Sequence, residues 1–305
     1  MKIYNPNLST KIVDELNYLN SNFFQFDKPI PFKDGLTIYP VLTRDHDLFL
    51  NCSNCLTLNK MDDANGISLS NLGYLIYKMS DAKHPDESAT YSQFLIHICE
   101  MVFHVKYGIR CEKCNKFYDY YEFVKMIAEK KEEITCECGS KDFDVNIRYR
   151  TNKNNQKELF VDGTTITISD FDRLRQIIMY QNLPDYKDDS WVDPEMREDQ
   201  AEKQRMIARK NKSGTATLER KIVCVSAKTC YKIQDIYDMP MRKFLILLSA
   251  VDDAMVYESS RIGLMTGMVS TKEPLEHWIY KRESDDLYGD GVTLEQMQKN
   301  IASAV

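Results

Sequence analysis

The sequence predicts an α+β protein, mainly helical, in which a small cysteine-bearing module interrupts two larger segments. Apolar residues recur at helical spacing over several stretches, and two short runs beside turn residues carry strand-forming side chains. Four of the nine cysteines fall in the single window 111–138. With 305 residues and 43% hydrophobic content, the chain can bury substantial cores and reads by length as roughly two domains.

An opening amphipathic helix is expected from Ser9 onward, because Ile12, Leu16 and Leu19 share a face. Pro29 to Phe32 ends it. Leu36 to Tyr39 reads as a short strand after the Asp34-Gly35 turn, and Asp45 to Leu58 returns to helix. Asp62 to Gly66 is a polar loop. Two further helices follow, one carrying Leu69, Leu72, Leu75 and Met79, the other Phe94, Leu95, Ile98, Met101 and Val102, with His84-Pro85 in the loop between them. Together these segments make a mixed α/β N-terminal domain over 1–105.

Residues 106–150 change character, and their cysteines explain why. Zinc takes four soft or borderline ligands in a tetrahedron, supplied by two tight turns that each bring two thiolates to one point. Cys111-Glu-Lys-Cys114 is one such turn, and Cys136-Glu-Cys138-Gly139, shorter by one residue, is the other. Twenty-one residues separate them, a spacing that fits a zinc-ribbon insertion with Cys111, Cys114, Cys136 and Cys138 as ligands. A closed thiolate set has no open position for water, so the metal's expected job is structural. So small a lobe owns little core, and zinc would supply most of its folding free energy, on the order of 10 kcal/mol. The aromatic run Phe117, Tyr118, Tyr120, Tyr121 and Phe123 could stack on bases, but nearly balanced charges around it favour packing and protein contact.

A mainly helical domain is expected over 151–281. Leu159 to Ile168 reads as strand, and a helix then starts at Ser169 as N-cap, with Phe171, Leu174, Ile177 and Ile178 on one face and Asn182-Leu183-Pro184 at its end. The region near 185–214 is a charged linker with a solvated helix. Thr217 to Val225 is a short helix. Met239 to Tyr257 has the clearest helical pattern, with Phe244, Leu248, Val251 and Met255 in phase and Pro240 in the first turn. Residues 282–305 read as a mobile tail with a weak terminal helix, in which Thr293 caps Leu294, Met297 and Ile301.

Composition limits function. A net charge of -6, from 40 basic and 46 acidic residues, offers no general attraction to phosphate backbones or anionic membranes. No run reaches a membrane span's length, and the opening residues lack a signal peptide's apolar stretch, so a cytosolic protein is expected. In a reducing compartment, nine cysteines read as ligands and buried thiols rather than disulfides. Cys52 and Cys55 share a two-residue spacing without a partner pair, and His97 and His104 flank Cys99 on an apolar helix. All five read as packing or surface residues. Neither phosphate-binding glycine motif is present, and the five histidines assemble no nucleophile and base. The sequence therefore disfavours an enzyme.

The stretch Ser169 to Asn182 (SDFDRLRQIIMYQN) followed by Asp193-Pro194, the segment Ile38-Tyr39-Pro40-Val41, and Ser270 to Trp278 with Lys272-Glu273-Pro274 resemble tail proteins of large tailed bacteriophages. The resemblance spans most of the chain and is to the tail or baseplate assembly chaperones. It implies a non-enzymatic role binding phage tail or baseplate proteins, with no catalytic residues to carry over. It also implies a location in the host cytoplasm, or in the virion tail where the protein is retained. That family pattern does not require a ribbon, so the module at 106–150 rests on its own residues. The alternative is a zinc-ribbon nucleic-acid-binding or transcription-associated protein, motivated by the ribbon aromatics and by Lys203, Arg205, Arg209, Lys210 and Lys212.

Overall fold

The structure, a computed structural model, describes residues 3, 5, 8–22, 25–60, 63–130, 135–188, 192, 194–210, 216–267, 275, 277 and 278. The terminal helix expected around Thr293 to Ile301 lies outside them. Among these residues helix outweighs strand, and three small antiparallel sheets complete a mixed helix-and-sheet fold.

Helix α1 (Thr10–Ser21) buries Ile12 and Leu16 and leads to a hairpin of β1 (Ile30–Lys33) and β2 (Leu36–Ile38). Pro29 to Phe32, expected only to end a helix, thus contributes a strand. Pro31 is tolerated because a two-stranded sheet has only edges. The hairpin tip is Asp34-Gly35, both at positive φ (48° and 85°), the geometry whose twist matches the flanking strands. Helix α2 (His46–Cys52) lies between two single-turn 3-10 segments, and Ser70 caps α3 (Asn71–Met79) by accepting the Gly73 amide at 3.0 Å. The next helix, α4 (Pro85–Phe103), starts at Pro85 itself rather than well after it. A first-turn amide has no intrahelical acceptor, so proline loses nothing there.

The cysteine module contains β3 (Gly108–Cys111), β4 (Phe117–Asp119), the helix α5 (Tyr120–Lys130) and β5 (Phe143–Val145), in sheet order β4-β3-β5. After it comes the meander β6 (Ile147–Thr151), β7 (Lys157–Val161) and β8 (Thr164–Ile166). A second Asp-Gly tip, Asp162-Gly163, joins its last two strands, again at positive φ (45° and 93°).

Helix α6 (Ile168–Asn182) is capped two residues before the expected Ser169. Thr167 is the cap because both halves of a capping box close there: its hydroxyl accepts the Asp170 amide, and Asp170 accepts the Thr167 amide at 3.0 Å. Residues 174–182 of this helix are buried all round, polar ones included. Each buried polar side chain has work to do. Gln181 donates to the Lys28 carbonyl at 3.0 Å and Arg175 to the Leu56 carbonyl at 3.2 Å, while Asn182 accepts the Val41 amide at 2.8 Å. One hydrophobic core surrounds the helix, containing Leu16, Ile38, Phe49, Leu72, Ile98 and Val102 from the N-terminal segment together with Leu159, Ile166, Phe171 and Ile177. The segments expected as 1–105 and 151–281 contribute to this same core. Outer ties reinforce it: Arg173 grips Glu15 of α1 through two nitrogens, at 2.7 and 2.5 Å, and stacks over Phe32.

Among the described residues α6 is followed by α7 (Pro194–Lys210), α8 (Leu218–Lys228), α9 (Ile233–Tyr237) and α10 (Met241–Met265). By contact, the chain divides into one compact unit of Met1–Pro194 with Ala216–Leu247 and a second of Glu195–Thr215 with Leu248–Val305. In the first, the start of α10 is anchored by the Met241 amide on the Val41 carbonyl at 2.8 Å and by Arg242 over the Phe26 ring. In the second, Tyr257 packs against His277 with ring centroids 4.9 Å apart. No helix among the described residues is long and apolar enough to cross a membrane.

Candidate metal centre

The module brings Cys111, Cys114, Cys136 and Cys138 together as the sequence spacing predicts, with all four sulfurs within 4.8 Å of one another. They form the only group of three or more metal-capable side chains among the described residues. Cys111 lies 3.5 Å from Cys138 and Cys114 3.4 Å from Cys136, sulfur to sulfur. A disulfide needs about 2.05 Å, so these are free thiols. Zinc bonds of about 2.3 Å place the sulfurs of a tetrahedron about 3.8 Å apart, within the range found. The four cysteines therefore lie close enough, and with the right donor chemistry, to hold a metal ion such as zinc.

Backbone geometry prepares the site. The first turn closes with the Cys111 amide on the Lys116 carbonyl at 3.0 Å and the Asn115 amide on the Cys111 carbonyl at 2.8 Å. In the second turn the Cys136 amide reaches the Ser140 carbonyl and the Gly139 amide the Cys136 carbonyl, both at 2.8 Å. The residue after the second cysteine of each turn is left-handed, Asn115 at φ 59° and Gly139 at φ 80°, the conformation those two residue types tolerate best. Amide groups aimed at sulfur favour thiolate over thiol. The amides of Cys114 and Lys113 hold Cys111 below the usual thiol range. Cys136 is drawn down to about 6 by the Cys138 amide and then by the Tyr118 hydroxyl. Cys114, though pulled down by the Lys116 amide, is pushed up to about 12, chiefly by its bond to Cys136. Cys111 and Cys136 are buried, Cys138 is half-buried and Cys114 faces solvent.

The aromatic run mostly packs. Tyr118 meets Phe123 and Phe143 at centroid distances of 5.9 Å each, and Phe123 meets Phe143 at 5.0 Å, so these rings are the module's own small core. Tyr121 departs from the others, at 81% exposure on α5. The helix itself went unread in the sequence, where its aromatics hid the spacing of Phe123, Met126 and Ile127. A buried asparagine joins module to body: Asn146 accepts the Gly108 amide at 2.9 Å and donates to the Lys106 carbonyl at 2.7 Å. Gly108 is needed at that joint, since a Cβ there would lie 2.4 Å from the Phe117 ring and from the Tyr118 carbonyl.

The other sulfur and imidazole groups stay apart from this centre. Cys52, Cys55 and Cys99 are core residues. Burial, and then the neighbouring sulfurs of Cys99 and Cys52, push the Cys55 thiol well above its ordinary range, and burial takes Cys99 up to about 12. Such thiols stay protonated and unreactive. His97 pairs with Glu100 at 3.2 Å, and His104 ends α4 in a left-handed conformation with its ring 4.2 Å from Tyr39. No protein-family model, curated protein or solved structure matches the chain.

Proposed function

We propose that the protein is a non-enzymatic, protein-binding factor in phage tail or baseplate assembly whose ribbon is stapled by zinc. The observation that carries the structural role of the metal is the donor set: four converging thiolates complete a tetrahedron and leave no position for a substrate or water. Cys111, Cys114, Cys136 and Cys138 would hold the ion, which supplies cross-linking rather than Lewis-acid chemistry. The partner class rests on the resemblance carried by Ser169 to Asn182. Because that stretch is built into the core, its apolar face is spent internally. Partner contact then falls to surfaces such as the outer side of α5, where Tyr121, Val124 and Ile127 are exposed.

The test is affinity purification of the tagged chain from its native host under nuclease treatment, followed by mass spectrometry. Tail or baseplate proteins at defined stoichiometry support the reading. Polymerase subunits, or partners lost to nuclease, refute it and promote the nucleic-acid alternative, whose binding would also fall steeply between low and physiological salt.

A further inference from the structure

The two metal-binding turns are not equivalent, and the difference leaves one sulfur short of a donor. In Cys111-Glu-Lys-Cys114 the Cys111 carbonyl is served by the amide of the fourth residue on, Asn115, at 2.8 Å, so the amides of Lys113 and Cys114 are not spent on it. In Cys136-Glu-Cys138 the missing spacer shifts this pattern by one residue. Here the carbonyl of the first cysteine, Cys136, takes the third amide on, from Gly139, at 2.8 Å, so one amide fewer is left for the Cys136 sulfur. The Tyr118 hydroxyl lies 3.2 Å from that sulfur, delivered from β4 by a ring packed against both Phe123 and Phe143.

We propose that Tyr118 replaces the amide that the shortened turn lacks, donating its hydroxyl proton to the Cys136 thiolate and so supporting metal binding. The direction of the bond follows from the metal-bound state, in which sulfur has no proton to give and the phenol must donate. The inference rests on the reading of the four cysteines as a zinc site. Four thiolates around a dication leave an excess of negative charge, and each polar donor aimed at sulfur disperses part of it. The sequence displays Tyr118 as one aromatic among five, and only the fold distinguishes it.

The experiment compares the full-length wild type, Tyr118→Phe and Phe143→Leu in competition with a chelator for Zn²⁺, and in the charge-transfer spectrum of the Co²⁺-substituted proteins. Tyr118→Phe keeps the ring and its packing, and far-ultraviolet circular dichroism checks that the fold is retained. The expected result is a zinc dissociation constant raised about 10-fold, with the sulfur-to-cobalt band moved to lower energy. Phe143→Leu disturbs the packing of the same ring without touching sulfur and should leave the band in place. Unchanged affinity and an unchanged band in Tyr118→Phe would overturn the proposal, as would an equal band shift in Phe143→Leu. A wild-type chain that takes up no zinc overturns the metal reading, and this inference with it.

Discussion

Asp188 offers the sharpest test of how the main core is held. Its side chain is 2% exposed and faces Arg175, 3% exposed, with 3.5 Å between nitrogen and oxygen. The same carboxylate oxygen accepts from the amides of Asn5, at 2.5 Å, and Gln176. One carboxylate thus gathers the N-terminal segment, α6 and the chain that follows it. Asp188→Ala strands a guanidinium where water does not reach, and breaking a buried pair from one side costs about 3–5 kcal/mol. Arg175 keeps Asp172 at 3.7 Å and the Leu56 carbonyl at 3.2 Å, which places the expected loss near 3 kcal/mol. At about 2–4 °C per kcal/mol for a unit of this size, the melting temperature should fall by roughly 6–12 °C. Asp188→Asn retains an acceptor oxygen for Asn5 and Gln176 and should lose only about half as much. The assay is urea denaturation followed by circular dichroism at 222 nm, with thermal melts alongside. If Asp188→Ala costs less than about 1 kcal/mol, or no more than Asp188→Asn, the pairing argument is wrong.

Further outcomes follow from the metal centre, the α6 cap and the core. Cys111→Ser should reduce zinc content to background by atomic absorption and abolish the near-ultraviolet tyrosine signal of the module, while the helical signal of the main core persists. Asp170→Ala should cost about 1–2 kcal/mol at pH 7 by urea midpoint, because it removes the capping box together with the Lys33 ion pair at 2.6 Å. Although burial pushes the Asp170 carboxyl up, the Lys33 ammonium and the Thr167 amide and hydroxyl hold it below its usual 3.8. A depressed value means that its contribution is complete above pH 4 and is lost as pH falls through the folded-state value. The gap between wild type and Asp170→Ala should therefore narrow in melts taken below pH 4. Phe171→Ala, at a fully buried position on α6, should cost about 3–5 kcal/mol by thermal melt. Tyr121→Ser, at 81% exposure, should change stability by less than about 0.5 kcal/mol in the same assay.

What could be read in advance divides by the range of the interaction. The cysteines were legible because two tight turns set their spacing along the chain, and α1, α3 and α10 because their apolar faces repeat at helical period. Thr167 was missed as the cap of α6 because Ser169 with Asp172 offers a similar pattern, and only backbone geometry chooses between them. Pro85 reads equally as a loop marker or a first-turn residue. The largest gap concerns α6. Sequence shows one apolar face, yet Arg175, Gln176, Gln181 and Asn182 are buried too, because Leu56, Lys28 and Val41 bring acceptors or donors from far along the chain and Asp188 supplies one from just beyond the helix. No local pattern announces partners more than a hundred residues away. In the ribbon, Tyr118 became distinguishable from its neighbouring aromatics only once β4 placed it beside Cys136.

The position of α6 along the chain also sets an order of events during synthesis. Its contacts with α1 and β1 span well over a hundred residues, and such distant contacts cannot form until their second half exists. At about 5–20 residues per second, a ribosome that has finished α4 needs about 4–16 s more to deliver the end of α6. The helices α1 and α3 must spend that interval with the faces destined for α6 uncovered. The cysteine module lies wholly inside the interval and closes on local contacts among its own strands and its own four cysteines, so it is complete while the body around it still lacks a centre. The N-terminal helices are accordingly the segment most exposed to aggregation or to capture by holding chaperones, and the ribbon the part that needs least protection.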